Sequence, residues 1–260
     1  MRSIIKTELY KMKHYSIPFI GVALMLLSVL LTIFTSMAND GSVWDFTYFT
    51  EQVIKNNMTT FFPACITLIM GYLITREQRD DTLKSILTVP VSFRKLLTGK
   101  LIVGSILSLT FGIVCTVFTI IFNFIAGFPG FTLQLALRGL IQTTIVNLLL
   151  YIAVMPIIIV TSKAQSGFLV GVIFAFAYGY GGMFAVGSEF LYNMYPITAA
   201  LGIVRYRAYD PSVRWNTPLC IFSLGLTLLL SVILILATDN KMELKRPAKK
   251  HVKAVPKKGW

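Results

Sequence analysis

Six apolar runs constrain this chain more than anything else in it. They fall at about 17–38, 58–75, 101–126, 136–161, 167–187 and 217–238. Each reaches or approaches the ~20 residues that a helix needs to cross a hydrocarbon core ~30 Å thick. No water is available in that medium, so backbone N–H and C=O groups must pair within each apolar segment, which makes the segments helices. The chain therefore reads as an all-α integral membrane protein with six transmembrane helices in a membrane domain at 17–238. Composition agrees, since 55% of the 260 residues are hydrophobic and only 13% are charged, against about 25% in soluble domains. Six spans in a chain of this length leave no room for a separate soluble catalytic domain.

Residues 1–16 carry Arg2, Lys6, Lys11 and Lys13, with Ile5, Leu9 and Met12 at i, i+4 and i+7. That pattern predicts an interfacial amphipathic helix, apolar face down, with its lysines near anionic lipids. A basic start ahead of an apolar run also fits a signal peptide, and Ser36-Met37-Ala38 has a small-x-small form. The run at 17–38 exceeds the ~7–15 residues of a signal core, so a first span is the expectation.

The connections follow from polarity. Residues 39–57 are polar, with Trp44 and Tyr48 among them, and read as an external loop with interfacial aromatics. Gly127-Phe-Pro-Gly130 reads as a tight external turn. Pro156 is expected to kink the fourth span. The fifth contains Tyr178-Gly-Tyr-Gly-Gly182. Small residues there allow close helix approach, which is its first reading, with a substrate-lining role the second. Residues 188–216 form a second external segment. Its apolar stretch at 197–204 is too short to span, so a re-entrant or interfacial helix is expected, shielded by protein or water. Asn147, Tyr178, Tyr180 and Pro196 are the candidates for a substrate path.

Cations orient the chain. The N-terminal segment holds four, residues 76–100 hold six, the turn at 161–166 one and the tail at 239–260 eight, so 19 of the 24 lie on one side. The positive-inside rule makes that side cytoplasmic, with both termini there. The tail, rich in Lys and Pro, is expected to lie on anionic lipids. Those lipids account for the +13 net charge without any nucleic-acid partner.

The polar interruption at 76–100 reads REQRDDTLKSILTVPVSFRKLLTGK. Leu83, Ile86 and Leu87 at i, i+3 and i+4 give a short helix one apolar stripe. Pro90 stops it. These residues resemble the loop between the second and third spans of type-2 ABC exporter permeases. Glu77, Thr82, Leu83, Leu87, Pro90, Arg94, Lys95, Gly99 and Lys100 stand in the family's order. Asp81 departs from it, where the family more often has glycine. The resemblance implies that this segment is a cytoplasmic coupling helix docking into an ABC ATPase subunit. Glu77, Arg79, Asp81, Thr82, Leu83, Leu87 and Pro90 are then the coupling residues. It also supports the re-entrant external segment and implies a second permease chain, identical or a paralogue.

The sequence offers no other engine. It contains no G-x-x-x-x-G-K-[ST] loop, its two histidines lie in basic segments, and no cysteine or carboxylate spacing suggests a metal site. No catalytic residue and no bound cofactor is expected; ATP and Mg belong to the partner ATPase. The eleven acids read as lying in loops or at span ends, which disfavours ion coupling at the midplane. The short chain resembles the small permeases of Gram-positive bacteria that give immunity to bacitracin or lantibiotics. That implies ATP-driven export of a peptide antibiotic or other amphipathic substrate from a bacterial plasma membrane. Export of a lipid-linked or sodium-linked substrate, a stand-alone secondary transporter or channel, and a non-transporting scaffold are the alternatives.

Overall fold

The computed structural model describes residues 1–38, 41, 43–79, 92–161 and 167–238, with the backbone alone at 77–79 and 186. Among the described residues all regular elements are helical. Helix α1 (Arg2–Lys13) leads into α2 (Ile17–Ser36). Helix α3 (Phe46–Asn56) passes through one π-helical turn (Asn57–Phe61) into α4 (Phe62–Arg79). Then follow α5 (Phe93–Ala126), α6 (Leu133–Thr161) and α7 (Gly167–Gly181). A 3-10 turn (Phe184–Gly187) and two short helices, α8 (Glu189–Met194) and α9 (Pro196–Ile203), precede α10 (Thr217–Leu236).

The centre of the bundle is α4 and the α5–α6 pair. α2 packs on α4 and α5, α7 on α4, and α10 on α6 and α9. Each outer helix shows why. In α2 the buried residues Gly21, Met25, Ser28, Val29 and Thr32 form one stripe, while Phe19, Leu27, Leu31 and Phe34 on its other faces are exposed. A helix with exposed large apolar side chains of this kind is solvated by lipid, not water. Most of α4's apolar surface is instead covered. Phe62, Cys65, Ile66, Ile69 and Met70 are each 0% exposed.

Several boundaries differ from the hydropathy reading. The second long helix begins at Phe46, not near residue 58, so half of the expected external loop is helix. Asp45 caps it by accepting a hydrogen bond from the Tyr48 N–H at 2.7 Å. Phe46, Phe49, Val53 and Ile54 form its buried stripe. Polar residues between them (Thr47, Glu51, Gln52 and Lys55) dilute the hydropathy and hide the helix from a simple apolar count. α5 has 34 residues, about 51 Å at 1.5 Å per residue, so it outreaches a ~30 Å core and starts well before residue 101. Gly127, left-handed at φ 72°, ends it in the expected turn.

Among the described residues five helices are long and apolar enough to cross a membrane. The apolar helix in the fifth predicted run, α7, has 15 residues, about 22 Å, and ends at Gly181 rather than near 187. α6 continues through Pro156. The apolar stretch after residue 196 is indeed a short helix. α9 is buried along Ile197, Ala199, Ala200 and Leu201 and packs against α6 and α10.

Candidate functional site

The coupling segment proper, residues 80–91, lies outside the described residues, and with it Asp81, Thr82, Leu83, Leu87 and Pro90. Glu77 and Arg79 are on the last turn of α4. What the structure describes is how the helices on either side of it, α4 and α5, are held together, and α1 does much of the holding. Lys100 Nζ, on α5, donates to Glu8 Oε2 at 2.8 Å and to the Leu73 C=O at 3.0 Å. Lys11 Nζ donates to the other Glu8 oxygen at 2.9 Å. Lys100 is 4% exposed and Glu8 5%. Burial by itself pushes the Glu8 carboxyl up. The charge and hydrogen bond of Lys100, aided by Lys11, outweigh burial and hold it below its ordinary 4.5. Three segments (α1, the last turns of α4, the first turns of α5) thus meet in one buried ionic knot.

Three further contacts brace it. A side chain at Gly99 would place its Cβ 2.6 Å from Ile4 Cγ2, so only glycine lets α1 approach this closely. The Arg76 guanidinium sits 4.2 Å from the Tyr15 ring centre and 5.7 Å from that of Tyr72. Arg94 Nε donates to the Thr238 C=O at 2.7 Å, tying the start of α5 to the end of α10. Hydropathy and motif reading missed Glu8 and Tyr15. A signal for Glu8 exists: it is the sole acid in residues 1–16 and falls between Ile5 and Met12 on the helical stripe. A carboxylate on an apolar stripe needs a buried cation. The amphipathic face of α1 accordingly packs on α5 through Met12 and Glu8, while Leu9 is 37% exposed.

The opposite end of α4 is built differently. Asn57, first residue of the π turn, donates through Nδ2 to Asn147 Oδ1 on α6 at 2.8 Å. Both are buried, and Asn57 Oδ1 and Asn147 Nδ2 have no other partner among the described residues. Across the turn, a Cβ at Gly179 on α7 would lie 2.6 Å from the Thr59 carbonyl oxygen. Only glycine allows that approach. Tyr195 OH donates to the Tyr178 C=O at 2.6 Å, and their rings are 5.1 Å apart. Pro196 starts α9 beside them. Tyr180 is 45% exposed, among Phe176 and Phe184 on the outer face of α7. Of the four candidate path residues, Tyr178 and Pro196 come together, Asn147 lies in the interior and Tyr180 faces outward.

Residues 204–215 close this end. Arg205 and Arg207 adopt left-handed backbone at φ 51° and 49°, a conformation that costs a non-glycine residue about 1–3 kcal/mol and needs support. The support is on α3, α6 and Trp215. Tyr206 OH donates to the Glu51 C=O and Tyr209 OH to Glu51 Oε2, both at 2.9 Å. Arg207 Nε stands 3.4 Å from the same carboxylate. Gln142 donates to the Val204 C=O at 3.1 Å, and Trp215 Nε1 to the Tyr206 C=O at 2.7 Å. Glu51 was expected in a loop; it sits instead within the long α3–α4 helix, 7% exposed. A cavity of about 650 Å³ lies between this segment, the π turn and the turn that follows α7.

Among the described residues no group of three or more His, Cys, Asp or Glu could hold a metal ion, and the three cysteines are buried and separate. Comparison with known proteins gives the family. A family model described as ABC-2 family transporter protein matches residues 4–182. The chain is 36% identical over 94 residues to the bacitracin transport permease protein BCRB of Bacillus licheniformis. That match covers 36% of this chain and 45% of that protein, so the chain spans less than half the length of this curated relative. No solved structure matches.

Proposed function

The chain belongs to the ABC-2 transporter family as a permease subunit, and on that premise we propose that it exports an amphipathic peptide antibiotic, driven by a separate ABC ATPase. Two copies of the permease, or one with a paralogue, enclose the pathway, and two ATPase subunits carry ATP and Mg. α7 together with the turn that follows it completes a sixth crossing. The membrane is a bacterial plasma membrane, and both termini face the cytoplasm, where 19 of the 24 cations lie. The bacitracin permease relative supports the substrate class.

The observation that carries the coupling role is the Glu8–Lys100–Leu73 knot. A segment that receives a push is useful only if its ends do not yield. Here the helices on either side of residues 80–91 are joined to α1 and to each other at Leu73 and Lys100, so a push on the segment moves α4 and α5 as one body. Glu77, Arg79, Asp81, Thr82, Leu83, Leu87 and Pro90 form the docking surface in this reading. The test is a mild-detergent pull-down of the tagged chain from its native membrane. Wild type recovers a soluble ATPase; Leu83→Ala/Leu87→Ala stays in the membrane and loses both that partner and bacitracin resistance. Survival of both in the double variant sinks the assignment.

A further inference from the structure

Three unrelated marks of function converge on the cavity of about 650 Å³ at the end of the bundle away from the Glu8–Lys100 knot. The π turn, a rare irregularity that concentrates at functional sites, supplies Met58 and Thr59 to its wall. The strained segment supplies Tyr206, Arg207 and Asp210. The turn that follows α7 supplies Gly182 and Met183. Its volume falls within the ~300–1,000 Å³ of sites that take small organic ligands.

The lining identifies the chemistry of the ligand. Arg207 and Asp210 answer one another at 3.4 Å, and Ser212 donates to Asp210 from both N–H and Oγ. Lys55, Arg214 and Glu189 also line the cavity and have no ion pair among the described residues. Two unspent cations and one unspent acid stand beside the apolar surfaces of Met58, Met183 and Leu201. A lipid phosphate would meet Glu189 as a like charge. A peptide segment carrying both signs meets complementary charge.

We infer that this cavity is an extracytoplasmic binding site for an amphipathic peptide segment of mixed charge. Its apolar side chains rest on Met58, Met183 and Leu201; its carboxylate is drawn to Lys55 and Arg214 and its basic group to Glu189. The inference rests on the peptide-export reading and locates where this chain itself recognises that substrate. The strained segment supplies wall to the cavity and is latched to Glu51 at the head of the α3–α4 helix. A bound peptide therefore touches the helix that leads to the coupling segment.

The test uses the full-length chain in phosphatidylcholine nanodiscs without ATPase, with bacitracin as the peptide, followed by titration calorimetry. Wild type binds. Arg214→Glu and Lys55→Glu each weaken binding at least tenfold, and Val213→Trp, which fills the cavity, abolishes it. Lys55 and Arg214 are exposed, so these variants fold, and a single symmetrical gel-filtration peak checks it. Leu83→Ala/Leu87→Ala binds as wild type does, which separates recognition from coupling. Wild type that confers resistance yet binds no bacitracin, or cavity variants that bind like wild type, overturn the site while leaving export intact. Binding that appears only with phosphatidylglycerol in the disc and ignores the peptide overturns it in favour of a lipid.

Discussion

The two ends of the α3–α4 helix are built to opposite specifications. At one, a lysine and a glutamate are almost fully buried, and the lysine donates both to the glutamate and to the Leu73 carbonyl of α4. At the other, the helix is interrupted by a π turn, an asparagine pair leaves an amide oxygen and an amide nitrogen unsatisfied, and two arginines hold left-handed backbone beside a cavity. The first arrangement resists deformation. The second holds strain, unspent polar groups and room. On the proposed export reading, a transporter that receives force at one end and handles a ligand at the other needs this asymmetry, because rigidity transmits and only a yielding end can respond.

The largest effect tests the rigid end. Lys100→Met removes the buried partner of Glu8 and leaves only the part-exposed Lys11, so the cost approaches the ~3–5 kcal/mol of breaking a buried ion pair. Thermal unfolding of the purified chain should show that loss, with export abolished. Glu8→Gln/Lys100→Met removes both charges and should recover most of the stability but not the coupling. If the double variant also exports normally, the knot is a structural accident and the contrast between the ends falls.

Acid probes the same knot more gently. The Glu8 carboxyl is held below its ordinary 4.5 in the folded chain. A depressed folded pKa contributes stability above the unfolded value, and that contribution fades as pH falls through the folded one. Stability should therefore be indifferent to Glu8 from neutral pH down to about 4.5 and drop below it. Glu8→Gln/Lys100→Met should lose that drop. The loss is smaller than in Lys100→Met, since the Leu73 carbonyl still accepts from the lysine. A curve that is identical in the variant places the acid sensitivity elsewhere.

The yielding end should tolerate more. Asn147→Leu deprives Asn57 of its one described partner, at a cost of about 1–3 kcal/mol for an unsatisfied buried amide. Asn57→Leu/Asn147→Leu should restore stability to near wild type. If transport falls in the double variant while stability holds, the pair serves movement rather than folding. Restored transport assigns it to folding alone.

How much of this was legible depended on periodicity. The apolar helices α2, α5, α6 and α10 stand where hydropathy puts them, because lipid demands unbroken apolar runs. α3 escapes a hydropathy reading because its buried stripe of Phe46, Phe49, Val53 and Ile54 alternates with polar residues, among them Glu51, which faces Arg207 and Tyr209. An apolar count cannot separate a polar residue facing protein from one facing water. The Glu8–Lys100 pair spans 92 positions, and nothing local joins its halves. The stripe position of Glu8 announces that a partner is needed without saying which. The left-handed arginines carry no sequence signal, since the conformation comes from their anchors on Glu51, Gln142 and Trp215.

The smallest effect separates charge from shape at the rigid end. Arg76 lies on α4 about four turns from the π turn's end and faces Tyr15 at 4.2 Å, in the connection between α1 and α2. A planar guanidinium spreads over an aromatic face; an ammonium keeps the charge and loses the stacking area. Arg76→Lys should cost only about 0.5–1 kcal/mol of stability, the value of an exposed cation–π contact. If α1 merely decorates the bundle, transport should fall no further than that small loss explains. If α1 clamps the end of α4 against the push, ATP turnover per exported peptide should rise in Arg76→Lys, because part of each stroke is spent bending the helix end. Tyr15→Phe, which keeps the ring, should leave that ratio at its wild-type value, and Tyr15→Ala should reproduce the Arg76→Lys ratio.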